Sequence, residues 1–420
     1  MHLAFTSEQD ALRDELRTYF AGLMTPERRA DLTSGEGDYG DGGAYREIVG
    51  QLGADGWLTL GWPREYGGQD RSLTDQLIFT DEAAAAGVPV PFLTLNTIGP
   101  TIMRFGTPEQ RAFFLPRIAR GELHFSIGYS EPEAGTDLAS LRTRAVRDGP
   151  DFVINGQKMW TSLIEHADYV WLACRTNPDS DPTFGPDKQA TDPTLGPDKQ
   201  ATDPTLGPDK QASSPHRGLS ILMVPTDAPG FSWTPVRTVS GVATSATYYS
   251  DVRVPASALI GEENQGWSLI TNQLNHERVA LTSAAPIFTA LREVTEWARE
   301  TGAIEREWVR VHLARVHAKA EFLKLMGWRI AASDTSTPGP ADASANKVFG
   351  TEFATEAYRL LMEVLGPASV VRAGSPGELL RGRVERMHRA ALILTFGGGT
   401  NEVQRDIIAA TALGLPISRR

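Results

Sequence analysis

Near the C-terminus, three consecutive glycines at 397–399 are followed at once by polar side chains. Because glycine has no side chain, a ligand can lie directly against the backbone N–H groups of such a segment. Thr400 and Glu402 add polar contacts as the chain enters a predicted helix at 403–413. A glycine-rich helix entry alone is more typical of a structural loop, so its interpretation depends on two segments far upstream.

The two upstream segments also combine donors with an aromatic side chain. Residues 129–137 read Tyr-Ser-Glu-Pro-Glu-Ala-Gly-Thr-Asp, and residues 158–162 read Lys-Met-Trp-Thr-Ser. An aromatic wall can exclude water from a redox-active ring, while hydroxyl and backbone donors tune the electronics of that ring. Taken alone, Trp160 is more simply explained as a core residue at a strand end. The surrounding motif favours the wall of a binding site.

Composition limits the class of protein. A chain of 420 residues is too long for one hydrophobic core, so two or three domains are expected. The formal net charge of −11 argues against a general nucleic-acid binder. The single cysteine, Cys174, fits a core position and indicates a reducing cytoplasm. No membrane span, export signal or metal site is predicted, and His276 is expected to be structural.

Hydrophobic periodicity predicts an α+β protein in three parts. Residues 1–122 have helical spacing, residues 123–254 have the alternation of strands, and residues 255–420 have the long periodic segments of a four-helix bundle. Thr107 followed by Pro108 predicts a helix start. After residue 255 the chain is expected to be helical throughout.

A tandem 11-residue repeat interrupts the strand region. Its copies begin at Asp181, Asp192 and Asp203, and they are rich in proline, glycine and charge. Such units cannot bury an apolar face, so the insert at 178–215 is predicted to be a disordered surface loop.

The order of the parts and four motifs resemble the acyl-CoA dehydrogenase family over essentially the whole chain outside the repeat. The motifs are those at 129–137, 158–162, 261–267 and 397–405. The resemblance implies the fold of that family, with an N-terminal helical domain, a middle β-domain and a C-terminal helical bundle. It also implies FAD as cofactor, α,β-dehydrogenation of an acyl-CoA, and an electron-transfer flavoprotein as acceptor.

The resemblance also assigns residues to the flavin and the substrate. Trp160 and Ser162 would cover the flavin ring, and Thr136 would approach both ligands. The implied cofactor contacts are Ile127, Tyr129, Ser130, Gly135, Thr136, Trp160, Ser162, Thr400 and Glu402.

Dehydrogenation needs a carboxylate that removes the α-proton while a hydride leaves the β-carbon. Many family members carry it where this chain has Gly398, which offers only its N–H to the thioester oxygen. A second branch, resembling isovaleryl- and long-chain acyl-CoA dehydrogenases, carries the base in a Leu-x-x-Glu-Arg context. Here that context begins at Leu274, so the resemblance implies Glu277 as base, with Arg278 supporting the substrate site. The alternative is an Arg–Glu pair on a solvated face.

Two family motifs that hold the flavin of a neighbouring subunit are altered. No Arg-x-x-Phe-Gly segment occurs at 300–308, and the Gln-x-x-Gly-Gly-x-Gly turn is replaced by a segment with Glu363, Gly366 and Pro367. A glutamate would repel a pyrophosphate, and a proline removes a backbone donor. These changes predict a hetero-oligomer with a related subunit and about one FAD per two chains.

The segments around Asp251 and Arg381 resemble the base-bearing subunit of the α2β2 dehydrogenases that actinobacteria use on steroid side chains in cholesterol catabolism. The implied substrate is a 3-oxo-sterol whose side chain ends in a CoA thioester. Three alternatives stay open. They are a homo-oligomeric dehydrogenase of branched or medium-chain fatty acyl-CoA, a non-catalytic partner subunit, and a flavin monooxygenase or nitro-forming oxidase on the same fold.

Overall fold

A computed structural model describes residues 4–33, 42–177, 216–241, 243–280, 282–332 and 339–416. For residues 243 and 275–280 only the backbone is described. The repeat insert at 178–215 lies outside the described residues, so its predicted disorder stays a prediction.

The first part of the chain is helical, as predicted. Amphipathic spacing places Leu12, Leu16 and Phe20 in the core. At Thr107 the predicted helix start is confirmed, because its side chain and that of Gln110 cap each other's backbone N–H groups. The helices are α1 Ser7–Leu23, α2 Pro26–Thr33, α3 Gly43–Ala54, α4 Leu73–Ala86, α5 Gly99–Phe105 and α6 Pro108–Ala119, and a π-helical turn, Thr94–Ile98, precedes α5.

A mixed sheet follows. Its strands are β1 Phe125–Gly128, β2 Arg144–Asp148, β3 Asp151–Lys158, β4 Tyr169–Arg175, β5 Leu219–Pro225, β6 Phe231–Arg237, β7 Ala243–Pro255 and β8 Leu259–Ile260. The strand order is β6-β7-β3-β2-β4-β5-β8, and β1 pairs with β4 in parallel. Cys174 is buried in β4, which confirms its predicted core position.

The expectation that the chain is helical throughout after residue 255 was wrong, because a short strand, β8, follows that residue. Leu259 and Ile260 pair with Leu222 and Ile221 of β5. This pairing covers an edge of the sheet that would otherwise present unpaired backbone groups.

Long helices complete the fold, which confirms the predicted α+β class and the order of its parts. They are α7 Gly266–Ala280, α8 Ala285–Glu300, α9 Glu307–Ala331, α10 Pro340–Leu365, α11 Arg383–Ala391 and α12 Asn401–Ala412. Val294, Val316 and Leu361 share one buried cluster that joins α8, α9 and α10. Within the described ranges, no helix combines the length and the apolar character needed to cross a membrane.

Candidate functional site

The two polar segments of the β-domain are joined directly. Met159 donates its backbone N–H to the Ser130 carbonyl at 2.8 Å, and the Lys158 ammonium donates to the Tyr129 carbonyl at 2.9 Å. Ser126, in β1, donates its hydroxyl to the Ser162 carbonyl at 2.8 Å. The ends of β1 and β3 therefore bring together segments that lie about thirty residues apart in the sequence.

A buried ion pair holds these two segments. The Lys158 Nζ lies 2.8 Å from Glu131 Oε1, and both side chains are buried. Thr143 donates its backbone N–H and its hydroxyl to the same carboxylate, and the Arg142 N–H donates to it as well. Burial raises the pKa of Glu131, but the Lys158 charge and the Thr143 hydrogen bonds outweigh it and hold the pKa below its usual range.

Trp160 lies in the turn between these braced elements and is 56% exposed. The alternative of a core tryptophan is therefore wrong. Its φ of 64° is unfavourable for a residue with a side chain. Hydrogen bonds on both sides hold the turn, since Thr161 and Ser245 exchange backbone N–H···O bonds of 2.9 and 3.1 Å. An exposed aromatic ring in a fixed, strained turn is typical of a ligand-facing position.

The other predicted flavin contacts of the β-domain differ in exposure. Gly135 and Thr136 are exposed, and a side chain at Gly135 would meet open space. Ile127 and Ser162 are half-buried.

The third segment, at 397–402, keeps its backbone donors available. Gly398 and Gly399 have φ of 67° and 90°, values that favour glycine. Thr400 caps α12 by accepting the Val403 N–H, and Glu402 is exposed in the first turn of that helix. The N–H groups of Gly398, Gly399 and Thr400 have no acceptor among the residues that the structure describes.

Helix α7 carries Glu277 and Arg278 in its last turn, but their side chains lie outside the described part of the structure. One turn earlier, Gln273 is 1% exposed and accepts a hydrogen bond from the Tyr129 hydroxyl. The Gln273 Nε2 is buried and has no acceptor within the described ranges. Residues 273 and 277 lie on the same face of the helix because they are four apart.

Gln273 was missed by sequence reasoning, although its spacing from Glu277 could have identified it. Its contact with Tyr129 joins the segment at 129–137 to the helix that carries the predicted base.

A cavity of about 300 Å³ opens next to this helix. Thr282, Ser283 and Ala284, which follow α7, form part of its wall. The loop at 58–63, α4, Phe92 with the π-helical turn, α5 and α9 form the rest. Most of the lining side chains are apolar, among them Leu58, Leu73, Leu77, Phe92, Leu95, Met103, Leu323 and Ile330. Its size lies within the range of small-molecule sites.

Asp81 is the acidic side chain in the cavity wall, where the Ser283 hydroxyl donates to its Oδ1 at 2.6 Å. Burial raises the pKa of Asp81 to about 6, and the nearby Glu82 adds to the rise while Ser283, Arg13 and Lys324 oppose it. A raised carboxyl pKa favours the protonated folded state. Above pH 6 the ionised Asp81 therefore destabilises the fold, by about 3 kcal/mol for a shift of this size.

Replacing Asp81 with Asn is expected to stabilise the protein about three times more at pH 7.5 than at pH 4.5, because the penalty builds up as the pH rises from the unfolded pKa of 3.8 to the folded pKa of about 6. The Asn side chain can still accept the Ser283 hydrogen bond. Urea unfolding midpoints at both pH values test this, with Asp14→Asn as control at a carboxylate that is 80% exposed. An equal effect of Asp81→Asn at both pH values would contradict the predicted ionisation.

In the segment predicted as a damaged half-site for a neighbour's flavin, Glu363 has partners within the chain. Glu363 pairs with Arg359 and with His312, whose Nε2 lies 2.8 Å from Glu363 Oε2. The His312 hydrogen bond, ahead of the Arg359 charge, lowers the pKa of Glu363. These partners reduce the repulsion expected of Glu363 toward a pyrophosphate. Pro367, in the 3-10 turn Gly366–Val370, still lacks a backbone donor.

Comparison with protein families gives three matches along the chain. The N-terminal domain model of acyl-CoA dehydrogenases matches residues 6–122, the middle domain model matches 126–191, and the C-terminal domain model matches 264–413.

Individual relatives match over the full length. The chain is 64% identical to acyl-CoA dehydrogenase FadE26 of Mycobacterium tuberculosis over 430 residues, covering 100% of both chains. Among solved structures, it is 63% identical to a chain of the ChsE4-ChsE5 complex of Mycobacterium tuberculosis, with a TM-score of 0.86 and 100% coverage of both chains. It is 46% identical to a chain of the Tcur3481-Tcur3483 steroid ACAD, with a TM-score of 0.87 and the same coverage.

Proposed function

Because this chain belongs to the acyl-CoA dehydrogenase family, whose members are FAD-dependent oxidoreductases acting on CH–CH groups, we propose that it dehydrogenates a steroid side-chain acyl-CoA. The reaction removes one hydrogen each from the α- and β-carbons of the thioester. The observation that carries the substrate proposal is the apolar cavity that begins five residues after Glu277.

The residues around the exposed Trp160 fit a flavin. An aromatic ring, the open backbone at Gly135, the Ser162 hydroxyl and the N–H groups of 398–400 offer a flat wall and several donors. The bound FAD would supply the hydride acceptor. Ile127, Tyr129, Ser130, Thr136 and Glu402 complete the proposed set.

Glu277 is the proposed base, which takes the α-proton. Along the chain it lies in the last turn of α7, four residues after the buried Gln273 and five residues before the cavity wall at 282–284. A carboxylate on the face of Gln273 would offer an acceptor to a buried Nε2–H group that otherwise has none among the described residues. Arg278 would add positive charge, and the Gly398 N–H would bind the thioester oxygen.

A steroid acyl group suits the cavity on size and polarity. Its apolar lining favours a hydrocarbon ring system, and the Asp81–Ser283 pair offers a polar contact inside it. The likeness to a protein described as a steroid ACAD supports this choice over a branched or medium-chain fatty acyl-CoA.

A related subunit is the proposed partner. Pro367, and the absence of an Arg-x-x-Phe-Gly segment at 300–308, leave this chain poorly equipped to hold a neighbour's pyrophosphate. Similar chains occur in the ChsE4-ChsE5 complex, which supports an assembly of two different subunits. The proposed electron acceptor is an electron-transfer flavoprotein, and the proposed location is the cytoplasm.

Producing this chain with and without a related subunit tests both the proposed partner and the proposed substrate. The co-produced oligomer is expected to hold about one FAD per two chains, and the chain alone much less. Steroid side-chain CoA thioesters are expected to give a kcat/KM at least about 100-fold above that of straight-chain acyl-CoA. Flavin counting by absorbance and an assay with an artificial electron acceptor measure the two quantities.

The outcomes separate the alternatives. Full FAD occupancy of the chain alone, with preference for fatty acyl-CoA, would indicate the homo-oligomeric dehydrogenase. Activity that depends only on a carboxylate of the other subunit would indicate a non-catalytic partner. Oxygen consumption matched to substrate oxidation would indicate an oxidase or monooxygenase.

A further inference from the structure

A buried lysine contacts both ends of the glycine segment at 397–399. Lys347, on α10, is fully buried, and its Nζ donates to the carbonyls of Thr395 and Gly399 at 3.2 and 2.8 Å. It also donates to Asn401 Oδ1 at 2.7 Å. An ammonium has three N–H donors, and these three acceptors lie on the two sides of the glycines.

Gln404 holds the middle of the segment. Its Nε2 donates to the Gly398 carbonyl at 3.4 Å, and its Oε1 accepts the Ser344 hydroxyl of α10 at 2.8 Å. A side chain at Gly399 would lie 2.6 Å from Gln404 Nε2, so glycine is required for this close approach. The carbonyls of Gly398 and Gly399 are thus both held by side chains that α10 and α12 supply.

Holding these carbonyls sets the direction of the donors. In a trans peptide the C=O of one residue and the N–H of the next point in opposite directions. The Gly398 carbonyl faces Gln404, and the Gly399 carbonyl faces Lys347. The N–H groups of the following residues, Gly399 and Thr400, therefore point away from these two side chains. Those N–H groups have no acceptor among the described residues, which leaves them for a ligand.

The charge of Lys347 has a second effect. Burying an ammonium is unfavourable unless it is well hydrogen-bonded, and a neutral amide could hold two of the same acceptors. Only a cation adds positive potential on the far side of a segment that has no side chains of its own. Such fixed potential stabilises negative charge that develops on a thioester oxygen.

We infer that Lys347 is a positioning residue for the dehydrogenation, which holds the glycine segment and adds positive potential behind it. This inference rests on the proposed function, because it assumes that the thioester oxygen binds at the Gly398 N–H, next to the Gly399 and Thr400 N–H groups that these contacts orient.

The test compares Lys347→Met with Leu361→Ala in the flavin-loaded oligomer. Leu361 is buried on the same helix in a cluster away from the glycine segment, so its truncation destabilises α10 without touching the site. Lys347→Met is expected to lower kcat by about 10- to 100-fold with little change in KM, because charge develops only in the reaction. Leu361→Ala is expected to keep its kcat at temperatures where it is folded.

A spectroscopic measurement separates positioning from folding. A bound 3-oxoacyl-CoA loses its α-proton readily, and its enolate against oxidised flavin absorbs at long wavelength. Lys347→Met is expected to lose most of this absorbance at neutral pH, and Leu361→Ala to keep it. Lys347→Gln, which has two N–H donors but no charge, is measured alongside so that a folded neutral variant is available.

Equal loss of kcat in Lys347→Met and Leu361→Ala variants of equal thermal stability would overturn the inference. So would full enolate absorbance in the neutral variants. Full activity of a Glu277→Gln variant would instead contradict the proposed base. The comparison of the Lys347 and Leu361 variants does not depend on that result.

Discussion

Replacing Glu277 with Gln is expected to lower kcat for acyl-CoA dehydrogenation by about 10³- to 10⁴-fold. Glutamine keeps the size and most hydrogen bonds of the side chain but cannot accept the α-proton, and a positioned general base contributes rate effects of this order. FAD occupancy and substrate binding are expected to stay near those of the parent. Rapid-mixing measurement of flavin reduction by substrate determines the rate of the chemical step.

The matched control is Glu307→Gln. Glu307 begins α9 and is exposed to solvent, so its amide variant is expected to keep the parental rate. A Glu277→Gln variant that reduces its flavin as fast as the Glu307→Gln variant would show that another acid takes the proton. The absence of a side chain at Gly398 makes the alternative position of the family incapable of doing so.

Replacing Lys158 with Met is expected to lower the free energy of unfolding by about 3–5 kcal/mol, because it leaves a buried carboxylate without its counter-charge. The Glu131 carboxylate would keep only the N–H and hydroxyl donors of Arg142 and Thr143. The Tyr129 carbonyl would lose its donor as well, so the segment facing the flavin would lose its support. Urea unfolding and flavin occupancy after gel filtration measure the two effects.

A double variant separates charge from packing. Glu131→Gln together with Lys158→Met removes both charges, while the Gln oxygen can still accept from the Thr143 N–H. Replacing a whole buried ion pair is often close to neutral, so this variant is expected to recover at least about half of the lost stability. If it unfolds as easily as the single variant, the ion pair is not the source of the stability. Flavin occupancy is expected to stay low in the double variant, because the donor to the Tyr129 carbonyl is absent in both.

Local sequence predicted the helical regions and the region of strands. The capping pair of Thr107 and Gln110 and the buried spacing of Leu12, Leu16 and Phe20 depend on neighbours within one or two turns, so they could be predicted. Strand β8 could not, because two residues have no periodicity and their pairing with β5 joins segments nearly forty residues apart. Its existence depends on an unpaired sheet edge, which is a property of the folded chain.

The residues of the candidate site also fall into those that the sequence predicted and those that only the folded chain shows. The family resemblance, which residue types and motif spacing carry, predicted the flavin contacts, the glycine segment and Glu277 as the base. Lys158 and Lys347 could not be given roles in this way, because each donates to backbone or side-chain groups at least 27 residues away. The helical spacing of Gln273 from Glu277 was visible in the sequence, but its contact with Tyr129 was not. These contacts arise only when β1 meets β3, α10 meets the turn before α12, and α7 meets the β-domain.

For Trp160, the sequence by itself supplied an aromatic residue within a ligand-binding motif, and it also allowed a core position. Only the tertiary structure decided between them, because exposure depends on what packs against a strand end and not on the residue type. The same reason applies to the cavity beside α7. Its walls come from six separate segments, so neither its volume nor the burial that raises the pKa of Asp81 can be derived from one stretch of sequence.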